Sequence, residues 1–279
     1  MATVDLLVGV SKEHATRYYK GLSVHSEFQV RVATEIADVL DMLADSDSHI
    51  DALAIDNDMG DVYQLITDLR SKYPRLLIIL IDEDADFGMP GQADEISTEP
   101  FENDDLAKRI KRLMSDRQME TLRSDSLPAV RNIAKQLREA TGRLGKQEAA
   151  VSASKDMGYD YVAFYNLEDS NTYKLSLHAQ KGPNAITAIT PKTATGEDLM
   201  SWVIKNGQSR LAGPEDSPNH PLVARGRLGA VACVPVTFSG VSYGVMVACN
   251  DRPNSMDQEN VLMLELVAAQ LAAALSRER

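Results

Sequence analysis

Leu76-Leu77-Ile78-Ile79-Leu80-Ile81 runs six apolar residues without a polar break. A strand with one wet face would alternate, so a short β-branched run of this kind reads as a strand covered on both faces, as in a parallel sheet. Upstream, Ile50 to Ile55 repeats the pattern, and Val4 to Val10 and Phe28 to Ala33 read as two more strands. Between them lie helical stretches. Lys12 to about Gly21 is polar, Ile36, Val39, Leu40 and Leu43 recur at helical spacing, and Val62, Leu65, Ile66 and Leu69 line one helix face. Asp94 to Thr98 reads as a short fifth strand and Asp104 to Met114 as an amphipathic helix. Strand alternating with helix in this way predicts a doubly wound α/β unit with a five-stranded parallel sheet over residues 1–115.

The chain has 279 residues, enough for two domains with a core each, and its 44% hydrophobic and 25% charged residues are a globular balance. Its net charge of −12 is uneven. Residues 1–115 hold 23 Asp and Glu against 11 Lys and Arg, whereas residues 116–279 hold 18 of each. Neither half carries the basic footprint that a phosphate backbone requires, so no nucleic-acid partner is expected. The longest uninterrupted apolar run, Leu76 to Ile81, is too short to span a bilayer, and Met1 to Asp5 lacks the basic start of a secretory signal. Cys233 and Cys249 sit in strand-like runs and resemble neither a disulfide framework nor a metal cluster. The expectation is a cytoplasmic protein with no membrane partner, no metal and no cofactor.

Residues 116–126 are polar and read as a helical connector that extends the preceding helix through Met119 and Leu122. Ser126 and Pro128 mark a new helix start, and Val130, Ile133, Leu137, Ala140 and Leu144 form an apolar stripe beyond it. Tyr159 to Tyr165 and Thr172 to Ala179 then read as a hairpin across Glu168 to Asn171. Gly196 to Lys205, with Trp202, is a short helix, and Ala230 to Val236 and Tyr243 to Cys249 are two strands joined through Ser239-Gly240. A Ser255…Gln258 capping box opens a last helix whose apolar positions are Val261, Leu264, Val267, Ala268, Leu271 and Leu275. Residues 127–279 are thus an α+β sandwich, and the two apolar helix stripes predict a homodimer.

In doubly wound sheets, function sits at the carboxyl ends of the strands. Here those ends carry Ser11-Lys12, Asp56-Asn57-Asp58, Asp82-Glu83-Asp84 and Glu99-Pro100. With Ala52 to Met59 and Ala93 to Phe101, followed by Leu106, the unit resembles the receiver domain of two-component response regulators. The resemblance implies that Asp56 is the phosphoacceptor. It also implies an acidic metal-binding pair where this chain has Ser11 and Lys12, with Glu13 nearby, and a lysine where it has Glu99. The small hydroxyl residue that receivers place after the fourth strand is Ile81 or Asp82. Phosphoryl transfer needs cations to neutralise developing charge. A glutamate about 4 Å from an aspartyl phosphate repels it by about 4 kcal/mol per charge pair at an effective dielectric of about 20. The expected site, Asp56, Asp58, Ser11, Lys12, Glu13 and Glu99, is therefore phosphorylation-incompetent. The rival reading keeps a metal on Asp56, Asp58 and Glu13, with Lys12 compensating, and a phosphorylatable regulator. The acidic loop from Asp82 to Gly91 is also too short for the usual fourth helix.

Leu175 to Gly182, Gly196 to Gly207, Gly229 to Pro235, Gly240 to Val247 and the final helix together resemble a GAF domain, the ligand-sensing module of phytochromes, cyclic-nucleotide phosphodiesterases and many bacterial regulators. The resemblance places a pocket between the sheet and the segment joining its halves, near Tyr161, Tyr165, His178, Trp202, Arg210, His220 and Arg225. The polar loops Asn184 to Thr195 and Leu211 to Arg227 suit a cover. The cyclic-nucleotide signature is broken at Asn250-Asp251, Met256 and Asp257-Gln258-Glu259, and neither cysteine lies where a bilin would attach. No phosphate-cradling loop, metal spacing or nucleophile elbow occurs. The expected function is a non-catalytic signalling regulator or adaptor of two-component type, pairing a pseudo-receiver with a GAF unit that binds a protein partner or an unidentified small ligand. A ligand-sensing GAF domain with a docking domain attached is the further alternative.

Overall fold

The computed structural model describes residues 3–83, 91–124 and 128–278, with side chains 118–130 left undescribed. The chain divides into two compact units, residues 1–71 with 75–120, and residues 72–74 with 121–279. In the first, strands β1 (Val4–Gly9), β2 (Phe28–Ala33), β3 (Ala52–Asp56), β4 (Leu77–Ile81) and β5 (Glu95–Ser97) alternate with helices α1 (Ala15–Ser23), α2 (Ile36–Ala44), α3 (Val62–Lys72) and α4 (Asp105–Ser124). All five strands are parallel, in the order β2-β1-β3-β4-β5. Every residue of β3 and β4 is buried, as the unbroken apolar runs require.

β5 is a short edge strand, held by side chains as well as backbone. Asp94 accepts from the Ile78 backbone N–H at 2.7 Å and from Arg70 at 2.8 Å, while Glu95 pairs with Arg109 and Arg112 of α4. α1 starts at Ala15 rather than Lys12, because Ser11 to His14 form a turn. The expected extension of the last helix is present as backbone, since α4 runs to Ser124; the side chains of Met119 and Leu122 lie outside the described residues. So does most of the loop from Asp82 to Gly91.

The second unit contains α5 (Pro128–Glu139), α6 (Gly142–Asp156), β6 (Tyr161–Asp169), β7 (Lys174–Lys181), α7 (Asn184–Thr187), α8 (Leu199–Asn206), β8 (Arg210–Ala212), α9 (Pro221–Ala224), β9 (Ala230–Phe238), β10 (Val241–Asn250) and α10 (Gln258–Ser276). Its antiparallel sheet runs β7-β6-β10-β9-β8. Side chains alternate across a strand, so one face of this sheet carries Val162, Phe164, Val234 and Met246 against α5, α6 and α10. The other carries Tyr161, Tyr165 and Cys233, on the side where α8 lies against β9 and β10.

Two local expectations are corrected. The capping box of α10 is Asp257 with Asn260, not Ser255 with Gln258: the Asp257 carboxylate accepts from the Asn260 N–H and the Asn260 side chain accepts from the Asp257 N–H, both at 3.0 Å. Ser255 instead donates to the Arg252 carbonyl. The stripe from Val130 to Leu144 is broken, because α5 ends at Glu139 and α6 starts at Gly142; Leu144 is 52% exposed, while Ile133 and Leu137 are core. By length and composition α10 is long and apolar enough to cross a membrane, and its residues Val261, Leu264, Val267, Ala268, Leu271 and Leu275 are buried in the core of this unit. The apolar stripes that predicted a dimer are thus largely occupied within one chain.

Candidate functional sites

The strand order reverses between β1 and β3, and a ligand crevice is expected at that point. Asp56 ends β3 there, and its Oδ1 accepts from the Asp58 backbone N–H at 3.0 Å. Burial pushes the Asp56 carboxyl above the ordinary carboxylate range. The Asp58 and Glu83 carboxylates add to that push, while the Asp58 N–H and His14 oppose it. His14 Nδ1 stands 3.8 Å from Asp56 Oδ2.

This histidine occupies a place for which the sequence offered Ser11, Lys12 and Glu13. Lys12 turns to Glu35 at 3.0 Å, and Ser11 accepts into the turn before α1 through its backbone carbonyl. Glu99 lies beside Glu102, whose hydrogen bond and charge raise its pKa. Asn57 bridges the strand ends by donating to Asp82 at 3.2 Å. Asp56, Asp58 and Glu13 do not form a metal cluster, since no group of three His, Cys, Asp or Glu among the described residues is placed to hold an ion. Nothing in the sequence singled out His14, because its nearness to Asp56 follows from the turn after β1.

Of the residues expected around a GAF pocket, Tyr161, Tyr165, Trp202, Arg210 and His220 are buried. Tyr161 donates to Gln180 at 3.0 Å and Tyr165 to the Pro191 carbonyl at 2.8 Å; burial raises both phenols. The rings of Tyr165 and His220 meet edge-on with centroids 6.4 Å apart. His220 caps α9 by accepting from the Leu222 N–H at Nδ1, so its proton sits on Nε2, which has no partner among the described residues. Burial pushes its pKa down to about 4, against a smaller upward pull from Asp198. The Arg210 guanidinium lies 4.9 Å from the Trp202 ring centroid and donates to the Ser217 carbonyl at 3.3 Å; burial lowers its pKa. Cys233 and Cys249 are buried thiols with pKa values raised by that burial.

His178 and Arg225 stand apart from this group. Arg225 is exposed just after α9. His178 is on the α6 side of β7, with Nδ1 3.1 Å from Gln147 Oε1 and Nε2 3.0 Å from Glu168 Oε1. Hydrogen bonds from Ser176 and Asn166, helped by His178, hold the Glu168 carboxyl below its usual range. Beside this network lies a groove of about 400 Å³ lined by Arg143, Leu144, Gln147, Asn166, Leu177 and His178. No spacing in the chain signals it, because Arg143 and His178 are brought together only by packing of α6 on the hairpin.

Comparison with known families and structures bears on the second unit. The GAF domain family model matches residues 147–276. No curated protein matches the chain. Solved structures that resemble it include the GAF domain of an Acinetobacter phosphoenolpyruvate-protein phosphotransferase, at 18% identity and a TM-score of 0.46, covering 53% of this chain and 91% of that one. Free methionine-R-sulfoxide reductase from Neisseria meningitidis, in complex with its substrate, matches at 18% identity and a TM-score of 0.47, covering 54% and 88%. The GAF domain of A. aeolicus nlh2, in an inactive state, matches at 16% identity and 0.46, covering 54% and 95%. The family match falls on the antiparallel sheet with its α6 and α10 layer. Residues 147–276 of this chain are a GAF domain.

Proposed function

We propose that the chain is a non-catalytic, cytoplasmic signalling regulator or adaptor. In this reading residues 1–115 are a receiver-like domain that does not take up a phosphoryl group, and residues 116–126 connect it to a GAF unit over 127–279. The GAF unit binds a protein partner or a small ligand, and neither nucleic acid nor a membrane is engaged. A homodimer belongs to the same reading, formed through surfaces other than the buried helix stripes.

The observation that carries the proposal is the company Asp56 keeps. Its position at the switch point of the sheet supports a receiver-like ancestry. Its neighbours supply two further carboxylates, Asp58 and Glu83, and a single imidazole, while Lys12 is engaged by Glu35. An aspartyl phosphate there would add charge to an acidic site with no built metal cage among the described residues. Retention of Asp56 itself at the end of β3 favours the rival, a phosphorylatable regulator. Incubation with acetyl phosphate and Mg²⁺, followed by intact-mass analysis, separates them. No added phosphoryl mass is expected; an adduct that disappears in Asp56→Ala would replace the proposal with the rival.

A further inference from the structure

Two oxygens meet the ring of His178, one at each nitrogen, and both can only accept. Asn166 is 9% exposed, and one atom of its amide faces the Leu167 carbonyl at 3.2 Å and Glu168 Oε1 at 3.0 Å. A carbonyl only accepts, and the Glu168 carboxyl, held below its usual range, is ionised, so that atom is the amide nitrogen. Asn166 Oδ1 is then left to accept from Gln147 Nε2 at 3.3 Å. Gln147 is 1% exposed, and that bond fixes its amide with Oε1 toward His178 Nδ1 at 3.1 Å. On the other side of the ring, Nε2 stands 3.0 Å from Glu168 Oε1. Only the imidazolium, which donates from both nitrogens, satisfies the two oxygens at once.

The two contacts are unequal. Gln147 is buried and keyed to Asn166, whereas the side chains of Glu168 and His178 are 40% and 36% exposed. When the ring gives up one proton, the proton on Nδ1 stays, because a buried Gln147 oxygen without its donor costs more than a carboxylate that reaches water. The proton lost is the one on Nε2, which leaves a lone pair against Glu168 Oε1. Glu168 then turns to solvent, and Ser176 of β7 loses the acceptor it shares with Asn166 and the ring. Among the charged groups on α6 and β6, the elements packed against β7, Glu168 favours the second proton and Arg143, in the wall of the same groove, opposes it. Lys146 of α6 pairs with Glu278, Asp156 of α6 with Lys181, and Asp169 of β6 accepts from Thr172. Lys192, on the segment that joins β7 through the Leu177 N–H, is exposed.

We propose that His178 is a proton-operated latch on the GAF domain, closed while both ring nitrogens carry protons and released at Glu168 when Nε2 loses its proton. Closed, it ties α6, through Gln147, to the turn end of the β6–β7 hairpin, through Glu168 and Ser176. Opening frees that end of the hairpin and leaves the Gln147 contact in place. The Tyr165 and His220 layer lies on the other face of the sheet and takes no part. The latch needs neither the receiver-like reading of residues 1–115 nor a ligand in the GAF unit.

The test takes the full chain from about pH 5.5 to about pH 8.5, the span in which histidines change charge, with two readouts. NMR of the imidazole nitrogens reports the protons on His178. Hydrogen exchange, corrected for the intrinsic effect of pH, reports opening of the hairpin from Leu167 to Ala179. Hairpin protection should fall by about threefold in step with loss of the Nε2 proton, while the Nδ1 proton stays. Glu168→Gln removes the carboxylate and can offer the neutral ring a donor, so its ring should titrate without moving hairpin protection. His178→Gln, an exposed change with little bearing on folding, should leave protection flat across the same range. Parent protection that ignores the ring, loss of the Nδ1 proton first, or a Glu168→Gln hairpin that still follows the ring would each overturn the proposal. Labelling of Asp56 by acetyl phosphate bears on none of these outcomes, so the two proposals fail separately.

Discussion

His220 is neutral in the fold because it is fully buried, and that neutrality links it to pH. Its folded pKa of about 4 lies below the unfolded value of about 6.5. Stability from the neutral ring is therefore complete above about pH 6.5 and is lost as pH falls toward 4, to a limit of about 3 kcal/mol. Replacing His220 with Asn keeps an acceptor for the Leu222 N–H and removes the titration. Urea unfolding at pH 7 and at pH 4.5 should show the parent losing about 2 kcal/mol more than His220→Asn. Equal losses would mean that the ring is not buried as neutral imidazole. Asp56 is shifted in the opposite sense by burial and by Asp58, and both residues show how a tertiary setting rewrites a side chain that composition counts as ordinary.

At the scale of elements, β6 and β10 pair at the centre of the GAF sheet, and Gly244 sits where the register shifts. Its φ is +153°, and a Cβ built there would stand 2.0 Å from the Tyr165 carbonyl oxygen. Gly244→Ala must therefore break the β6–β10 ladder or fail to fold, at a cost above about 3 kcal/mol. Gly226, at φ +65° with nothing within 4 Å of a Cβ, should cost only about 1 kcal/mol on the same change. Thermal unfolding followed by fluorescence of the single tryptophan, Trp202, reads this unit directly. Comparable melting temperatures for the two variants would refute the steric argument. Element identity was legible here, since alternation and apolar runs mark β6, β9 and β10, and the final helix shows its periodicity. Its cap was not, because Ser255 and Asp257 are both good caps and only backbone geometry chooses between them.

Across the whole molecule the acidic charge belongs to residues 1–115, and the balance of residues 116–279 is zero. A homodimer predicted from helix stripes now has to be sought elsewhere, since Ile133, Leu137, Leu264 and Leu271 are core residues. Light scattering across a hundredfold range of concentration, about 1 to 100 μM, should give the dimer mass at the upper end. A constant monomer mass would remove the dimer from the proposed function. The sequence by itself determined the two sheets, parallel and antiparallel, the position of Asp56 at a strand end and the GAF character of the second unit. These follow from local periodicity and turn chemistry, which each short segment carries within itself. Only the tertiary structure decided that His14 faces Asp56, that Lys12 turns away to Glu35, that His178 leaves the buried aromatic layer, and that Arg143 and Gln147 share a groove with it. Those meetings depend on which faces pack together, and residues 35 positions apart, such as Arg143 and His178, hold no record of it in their spacing.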